Sequence, residues 1–289
     1  MNTYLYGYQD KLYINLTNLC SNNCDFCVRN TADGVGGHNL WLENEPSAEE
    51  IIAELRGMNL DKYAEFVFCG FGEPLYAFEK LIEIGRFLKG KGKKTRLNTN
   101  GQASLIIGRE VLDRIEKKAD KNPGSVKTRN ENHTKDGVCT LQKNPENYAE
   151  SGSAKDSEEK GICNPYENHT KDGVCNLRKN PETGGCRSYE NPERKDICKR
   201  VVGILRGAVD TVGISLNASN AERYNEICRC AFGGEGFYAM LEFAKECAGK
   251  VKRVILSVVD TIGEDEIEKC KRLAGEVGAE LRIRKYSAV

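Results

Sequence analysis

The sequence predicts an α/β fold: a partial (β/α)6 TIM-like barrel with a long flexible insertion between strands 3 and 4. Three observations predict it. Short apolar runs alternate with amphipathic helical stretches from residue 1 to about 118 and again from 200 onward. Six such runs read as strands. Between about 120 and 199 the alternation gives way to a polar, repetitive stretch. The chain therefore divides into a first half-core at 1–119, an insertion at 120–199 and a second half-core at 200–289. Alternation of this kind implies a parallel sheet with right-handed crossovers, whose chemistry sits at the C-terminal strand ends.

The elements follow in order. "KLYINL" is the first strand and "PSAEEIIAELRG" the first helix, with Pro46 and Ser47 at its start, early acids, and Ile51, Ile52 and Leu55 on one face. "EFVFCG" is a strand, "FEKLIEIGRFLKGKG" an amphipathic helix, and "KTRLNTNG" a strand running into a turn. "SLIIGREVLDRIEKK" is helical at least in its second half. After the insertion, "VVGILRGAV" is helical or a helix end and "DTVGISLNA" a strand. "AERYNEICR" and "GFYAMLEFAKECAG" are helices, "KRVILSVVD" is a strand, "EDEIEKCKRLAGEVG" a helix and "AELRIRKY" the last strand.

Composition removes several classes of function. Lys plus Arg (43) balances Asp plus Glu (43), so no global charge attracts nucleic acid or an acidic membrane. "MNTYLYGYQDKLYINL" has no basic start and apolar core of a signal peptide, and no apolar run nears the roughly 20 residues that span a bilayer. A cytoplasmic protein is expected. Thirteen cysteines are an odd number for a disulfide framework, and in a reducing compartment clustered cysteines point to metal.

Cys20, Cys24 and Cys27 follow the first strand directly, with gaps of three and two residues. Three thiolates can hold three irons of a cubic [4Fe–4S] cluster and leave the fourth iron for a non-protein ligand. Short gaps suit ligands that converge on so small a body. A structural zinc site would ask for a fourth protein ligand, and His38 is the only nearby candidate.

Cys20-x3-Cys24-x2-Cys27 resembles the signature of the radical S-adenosylmethionine superfamily. "CGFGEP" (69–74) resembles its GGEP motif, with Phe71 at the first glycine, so that Gly72, Glu73 and Pro74 carry the match. "NTNG" (98–101) and "SLNA" (215–218) end strands where members of that family approach the cofactor. The sequence is most similar to the TatD-associated radical SAM proteins, through "YINLTN-C", "CDFCVR", "NLWLE-EPSAEEI", "VFCGFGEPL", "RLNTNG" and "ILSVVD". The resemblance covers 1–118 and 200–289.

It implies a [4Fe–4S] cluster on Cys20, Cys24 and Cys27, these three being the metal-binding and catalytic set, and S-adenosyl-L-methionine as second cofactor. The reduced cluster would cleave it to a 5′-deoxyadenosyl radical that abstracts hydrogen from an unidentified substrate, which makes the protein oxygen-sensitive. A one-electron reductant such as flavodoxin or ferredoxin is implied, as is a pathway link to a TatD-type hydrolase. Gly70 and Gly72 would permit close backbone approach, and Glu73 would suit the methionyl amine. Phe26 either lines the adenine or packs beneath the loop. Asn98 and Asn100 are either cofactor or substrate contacts or turn residues. Ser215 and Asn217 either contact the ribose or serve the strand end. Asp260 and Arg284 face the substrate or play structural parts. Cys69, Cys228, Cys230, Cys247 and Cys270 read as buried packing thiols.

"ENHTKDGVCTLQKNPE" (131–146) returns as "ENHTKDGVCNLRKNPE" (167–182). His133, Cys139, His169 and Cys175, with Cys163, Cys186 and Cys198, allow a second metal site. The scarcity of aliphatic residues argues instead for a flexible insertion, since so little apolar surface does not offset chain entropy. Two alternative functions stay open: a non-catalytic iron–sulfur carrier or sensor, and an activase that places a radical on a partner protein.

Overall fold

In a computed structural model, which describes residues 2–30, 36–120 and 191–286, seven strands form one sheet whose spatial order equals chain order. Strand β1 (Leu5–Tyr8) runs antiparallel to β2 (Lys11–Ile14). From β2 onward every pairing is parallel, through β3 (Glu65–Phe68), β4 (Thr95–Thr99), β5 (Thr211–Ser215), β6 (Arg253–Val259) and β7 (Glu280–Arg284). These six parallel strands are the six expected ones, and the mostly parallel sheet is consistent with a partial barrel. The hairpin strand β1 is additional. Its turn places Gln9 at a φ of 55°, a left-handed position that Gly, Asn or Asp would have advertised.

Helices fill the crossovers: α1 (Ala48–Arg56), α2 (Phe78–Gly90), α3 (Ala103–Ile106), α4 (Arg109–Asp120), α5 (Pro192–Leu205), α6 (Ala221–Cys228), α7 (Gly234–Cys247) and α8 (Glu264–Val277). Helix α1 starts in a reciprocal cap. Ser47 Oγ accepts the Glu50 amide at 3.1 Å, and Glu50 Oε2 accepts the Ser47 amide at 2.8 Å. Ile51 and Leu55 are buried and Ile52 half-buried, as the periodicity predicts. Helix α5 begins inside the stretch that composition assigns to the insertion. Asn191 caps it by accepting the amides of Glu193 and Arg194, and Ile197, Cys198, Val201, Val202 and Leu205 are buried in the core. Cys198 is thus a core thiol and not one of a polar cluster. His133, Cys139, Cys163, His169, Cys175 and Cys186 lie outside the described residues.

Strand register sorts the side chains by face. Leu12, Ile14, Phe66, Phe68, Leu97, Val212, Ile214, Leu256 and Val258 join one core cluster with α1, α2, α5 and α7. Each such side chain contributes about 1.5–3 kcal/mol by leaving water. The opposite face carries Tyr13, Val67, Asn98, Gly213, Ser215, Ser257, Arg282 and Arg284, set by the parallel registers. This interior face is markedly more polar. At the N-terminal strand ends, Asp210 accepts the Thr95 amide at 3.0 Å and pairs with Lys89 at 2.5 Å and Lys252 at 2.7 Å. Burial would raise its carboxyl, but the ion pairs to Lys252 and Lys89 and the Thr95 bond hold it down at about 2. Among the described residues no helix is long and apolar enough to cross a membrane.

Candidate functional site

The loop after β2 carries Cys20, Cys24 and Cys27, none in a disulfide and all half-buried. Its shape is held by backbone bonds to α6 and the turn beyond it: Asn23 N–H to the Cys228 carbonyl at 2.8 Å, Asp25 N–H to Ile227 at 3.1 Å, and Ala231 N–H to Ser21 at 2.8 Å. A buried side-chain network braces it from below. Asn100 Nδ2 donates to Ser21 Oγ (2.8 Å), Ser21 Oγ to Gln102 Oε1 (2.6 Å), and Gln102 Nε2 to Asn22 Oδ1 (3.0 Å) and to the Tyr224 hydroxyl (2.9 Å). Arg29 Nε donates to Cys27 Sγ at 3.4 Å and its Nη2 to the Asn22 carbonyl at 2.8 Å. Burial, with the nearby Glu73 carboxylate, pushes the Cys20 thiol up to about 12. A hydrogen bond with Cys228, and then burial, push Cys24 upward too. Phe26 is half-buried against the main core.

The 70–74 turn locks onto this loop. Glu73 N–H donates to the Leu19 carbonyl at 2.7 Å. A Cβ at Gly72 would lie 2.2 Å from the Thr17 carbonyl oxygen, and one at Gly70 would lie 1.9 Å from Asn15 Oδ1. The close approach that these glycines permit is therefore to the cysteine loop's own stem. Phe71, which departs from the family pattern, is buried with Tyr6 and Leu40 and meets Trp41 edge-on at 5.3 Å. That pocket accepts a large side chain at the position. Pro74 opens a short 3-10 turn that Glu73 caps.

Glu73 is buried and engaged on every side. Oε1 accepts the Leu75 amide (3.1 Å) and the Thr99 hydroxyl (2.7 Å), and Oε2 accepts the Asn100 amide (2.6 Å). It ties the end of β3 to the end of β4. Burial pushes its carboxyl up from 4.5 to about 7, against those three bonds, which favour the ionised form. A folded-state value above the unfolded one means that the native protein keeps a proton the unfolded chain has released. Stability from this group is therefore full below about pH 4.5 and is lost as pH rises through about 7. Glu73→Gln must turn an amide N–H toward a donor, costing about 1–3 kcal/mol at pH 5. The deficit relative to wild type should shrink by up to about 3 kcal/mol at pH 8, since only the wild type bears the cost of ionisation. Denaturation of both chains at the two pH values measures this. A deficit independent of pH would contradict it.

Across the mouth, Asn217 holds a left-handed φ of 59° at the end of β5. It is buried, donates to Cys228 Sγ at 3.4 Å, and accepts from Arg284 Nη2 at 3.4 Å. Asn98 hydrogen-bonds the Cys69 thiol, which burial pushes upward. Ser215 stands in register with Ser257 on the interior face. Asp260 accepts the Tyr286 amide at 2.9 Å. Cys20, Cys24, Glu73, Asn100, Asn217 and Arg284 are thus connected by direct bonds or close approach through Ser21 and Cys228, whereas Ser215 and Asp260 stand apart from that web. Sequence reading missed Ser21, Asn22, Thr99, Gln102 and Tyr224. It also read Cys69, Cys228, Cys230, Cys247 and Cys270 as packing thiols; Cys228, Cys230, Cys247 and Cys270 are buried core thiols, whereas Cys69 hydrogen-bonds Asn98.

The donor set fits a [4Fe–4S] cluster. Among the described residues no three His, Cys, Asp or Glu side chains converge on a single ion. A cubic cluster asks instead for one thiolate on each of three separate irons, and a single braced loop supplies three thiols outside any disulfide. The buried, unpartnered Asn15 Oδ1 at the stem is an acceptor left over beside Gly70.

A family model described as the radical SAM superfamily matches residues 14–149. Among solved structures, the fold is similar to that of Streptococcus suis SuiB, at 13% identity and a TM-score of 0.52 over 98% of this chain and 41% of that one. SuiB bound to S-adenosylmethionine aligns at 14% identity and a TM-score of 0.53, over 98% of this chain and 42% of that one. The chain thus spans about two-fifths of SuiB's length. No curated protein matches the sequence. The family match takes in the cysteine loop and the 70–74 turn, and the likeness to SuiB is one of fold.

Proposed function

We propose that the protein is a radical S-adenosylmethionine enzyme of the TatD-associated kind, acting in the cytoplasm with a one-electron reductant such as flavodoxin or ferredoxin. The observation that carries this is the loop of three cysteines, none in a disulfide, at the end of the first parallel strand, seated directly on the Gly70–Pro74 turn. When bound, the cluster would supply the electron that cleaves S-adenosylmethionine to the hydrogen-abstracting 5′-deoxyadenosyl radical. Cys20, Cys24 and Cys27 hold the metal, and Glu73 fixes the strand ends on which the methionyl group would rest. Asn98, Asn100, Ser215 and Asn217 offer polar contacts at the next strand ends, and Phe26 offers an apolar wall.

One observation favours a second reading, an iron–sulfur carrier or sensor: the faces of Gly70 and Gly72 and all three donors around Glu73 are used by the chain itself. A single experiment separates the two. Anaerobic reconstitution followed by dithionite reduction with S-adenosylmethionine should yield 5′-deoxyadenosine, seen by chromatography. A protein carrying a full cluster that yields none is a carrier.

A further inference from the structure

The interior face of the sheet carries four arginines, and they divide by height. Arg96 on β4 pairs with Glu65 of β3 at 2.9 Å. Arg253 at the start of β6 pairs with Glu280 of β7, Nε to Oε1 at 2.8 Å. Both ion pairs sit toward the N-terminal strand ends. Arg282 and Arg284 are at same-face positions higher on β7, opposite Ser257 and Val259. Among the described residues neither makes an ion pair with a carboxylate, although Arg282 is near enough to Glu280, itself paired with Arg253, to help lower that carboxyl. Arg282 and Arg284 repel each other, and the groups around Arg284 are Asn217 Oδ1 and the thiols of Cys69, Cys24 and Cys228. Its guanidinium reaches from the last strand to the end of β5 and interacts electrostatically with the Cys24 thiol of the cysteine loop, yet solvent still reaches it.

A planar fork of donors with no internal acceptor of opposite charge, at the strand ends where such folds bind ligands, is complementary to a carboxylate or phosphate. We propose that Arg284, supported by Arg282, binds an anionic group of the substrate, a carboxylate or a phosphate, at the mouth of the sheet. This rests on the radical-enzyme reading, which puts substrate in that mouth. The same chemistry has a second source, the methionyl carboxylate of the cofactor, and the test keeps the two apart.

The test uses the full-length, anaerobically reconstituted protein with inorganic phosphate as probe, titrated calorimetrically at constant ionic strength. Saturable binding should weaken about tenfold in Arg284→Gln, the loss of about 1.4 kcal/mol of charge-assisted bonding. Arg284→Lys should fall between the two, and Arg282→Gln should weaken binding as well. Arg253→Gln, which loses a pair far from the mouth, should bind as wild type does. Equilibrium dialysis of S-adenosylmethionine should give equal affinity for wild type and Arg284→Gln. Absence of saturable phosphate binding, or equal binding by wild type, Arg284→Gln and Arg282→Gln, overturns the proposal. Loss of S-adenosylmethionine affinity in Arg284→Gln, with phosphate competing for that cofactor, assigns the anion to the cofactor and overturns the substrate role. Failure to form 5′-deoxyadenosine alongside intact phosphate binding would count against the radical reading and leave the anion site standing.

Discussion

Replacing Cys20, Cys24 and Cys27 together by Ala should abolish the iron binding expected of the protein, from about four irons per chain to about none. The variant should still fold, because other groups hold the loop. Asn23, Asp25 and Ser21 bond to the 227–231 segment through the backbone, and Ser21 and Asn22 belong to the network of Asn100, Gln102 and Tyr224. Loss of iron then reports loss of ligands and not of structure. Cys69→Ala and Cys228→Ala are the controls. Cys69 bonds Asn98, and Cys228 bonds Asn217 and Cys24; neither belongs to the loop triplet, and each variant should keep its iron. Iron and sulfide analysis with the visible absorption spectrum decides the matter. A triple variant with full iron and sulfide would remove the basis of the assignment.

Gly72→Ala should be the most disruptive single change at the site, costing about 3 kcal/mol or more. The new methyl group would meet the Thr17 carbonyl oxygen at 2.2 Å and the Leu19 oxygen at 2.8 Å. Both are backbone atoms and have no rotamer to escape into. Relief requires parting the turn from the loop, which breaks the Glu73–Leu19 bond and carries Cys20 with it. Gly70→Ala meets a side chain instead, Asn15 Oδ1. That side chain is itself anchored by donation to the carbonyls of Leu40 at 2.7 Å and Thr3 at 3.2 Å, so a smaller but definite loss is expected. Gly90→Ala, at the end of α2 with open space around it, should be neutral or mildly stabilising. Urea denaturation of the three variants gives the ranking, and a Gly72→Ala protein within about 0.5 kcal/mol of wild type would refute the contact argument.

What the sequence made legible was whatever depends on period and local chemistry. The short runs around Leu12–Ile14 and Phe66–Phe68 announced strands, and Pro46 and Ser47 with the early acids announced the start of α1. The cysteine spacing located the mouth of the sheet before any fold was in view. Three kinds of feature were not legible. Strand β1 was hidden because Gln9 occupies a left-handed turn position that its residue type does not signal. The start of α5 was hidden because its polar first turn, Asn191–Lys195, blends with the composition before it. The brace under the cysteine loop was hidden because Tyr224, Gln102 and Asn22 are brought together only by tertiary folding. Gly72 and Glu73 were read from a resemblance as ligand contacts. Their visible bonds are to the chain itself, a distinction that needs three-dimensional distances and that no motif contains.

The sheet places strands in chain order, and the pairing of β4 with β5 joins the segments farthest apart along the chain of any neighbouring strands. The first half, β1 to β4, and the second half, β5 to β7, each consist of comparatively local pairings and can form early. The β4–β5 seam must wait for a long closure, whose entropy grows only logarithmically with the length spanned but delays the encounter. Asp210 stands at that seam, just ahead of β5, bonded to Thr95 at the start of β4, to Lys89 from the first half and to Lys252 from the second. It is placed to act as a late-forming register pin: weakening it would speed unfolding while leaving the formation of each half nearly unchanged.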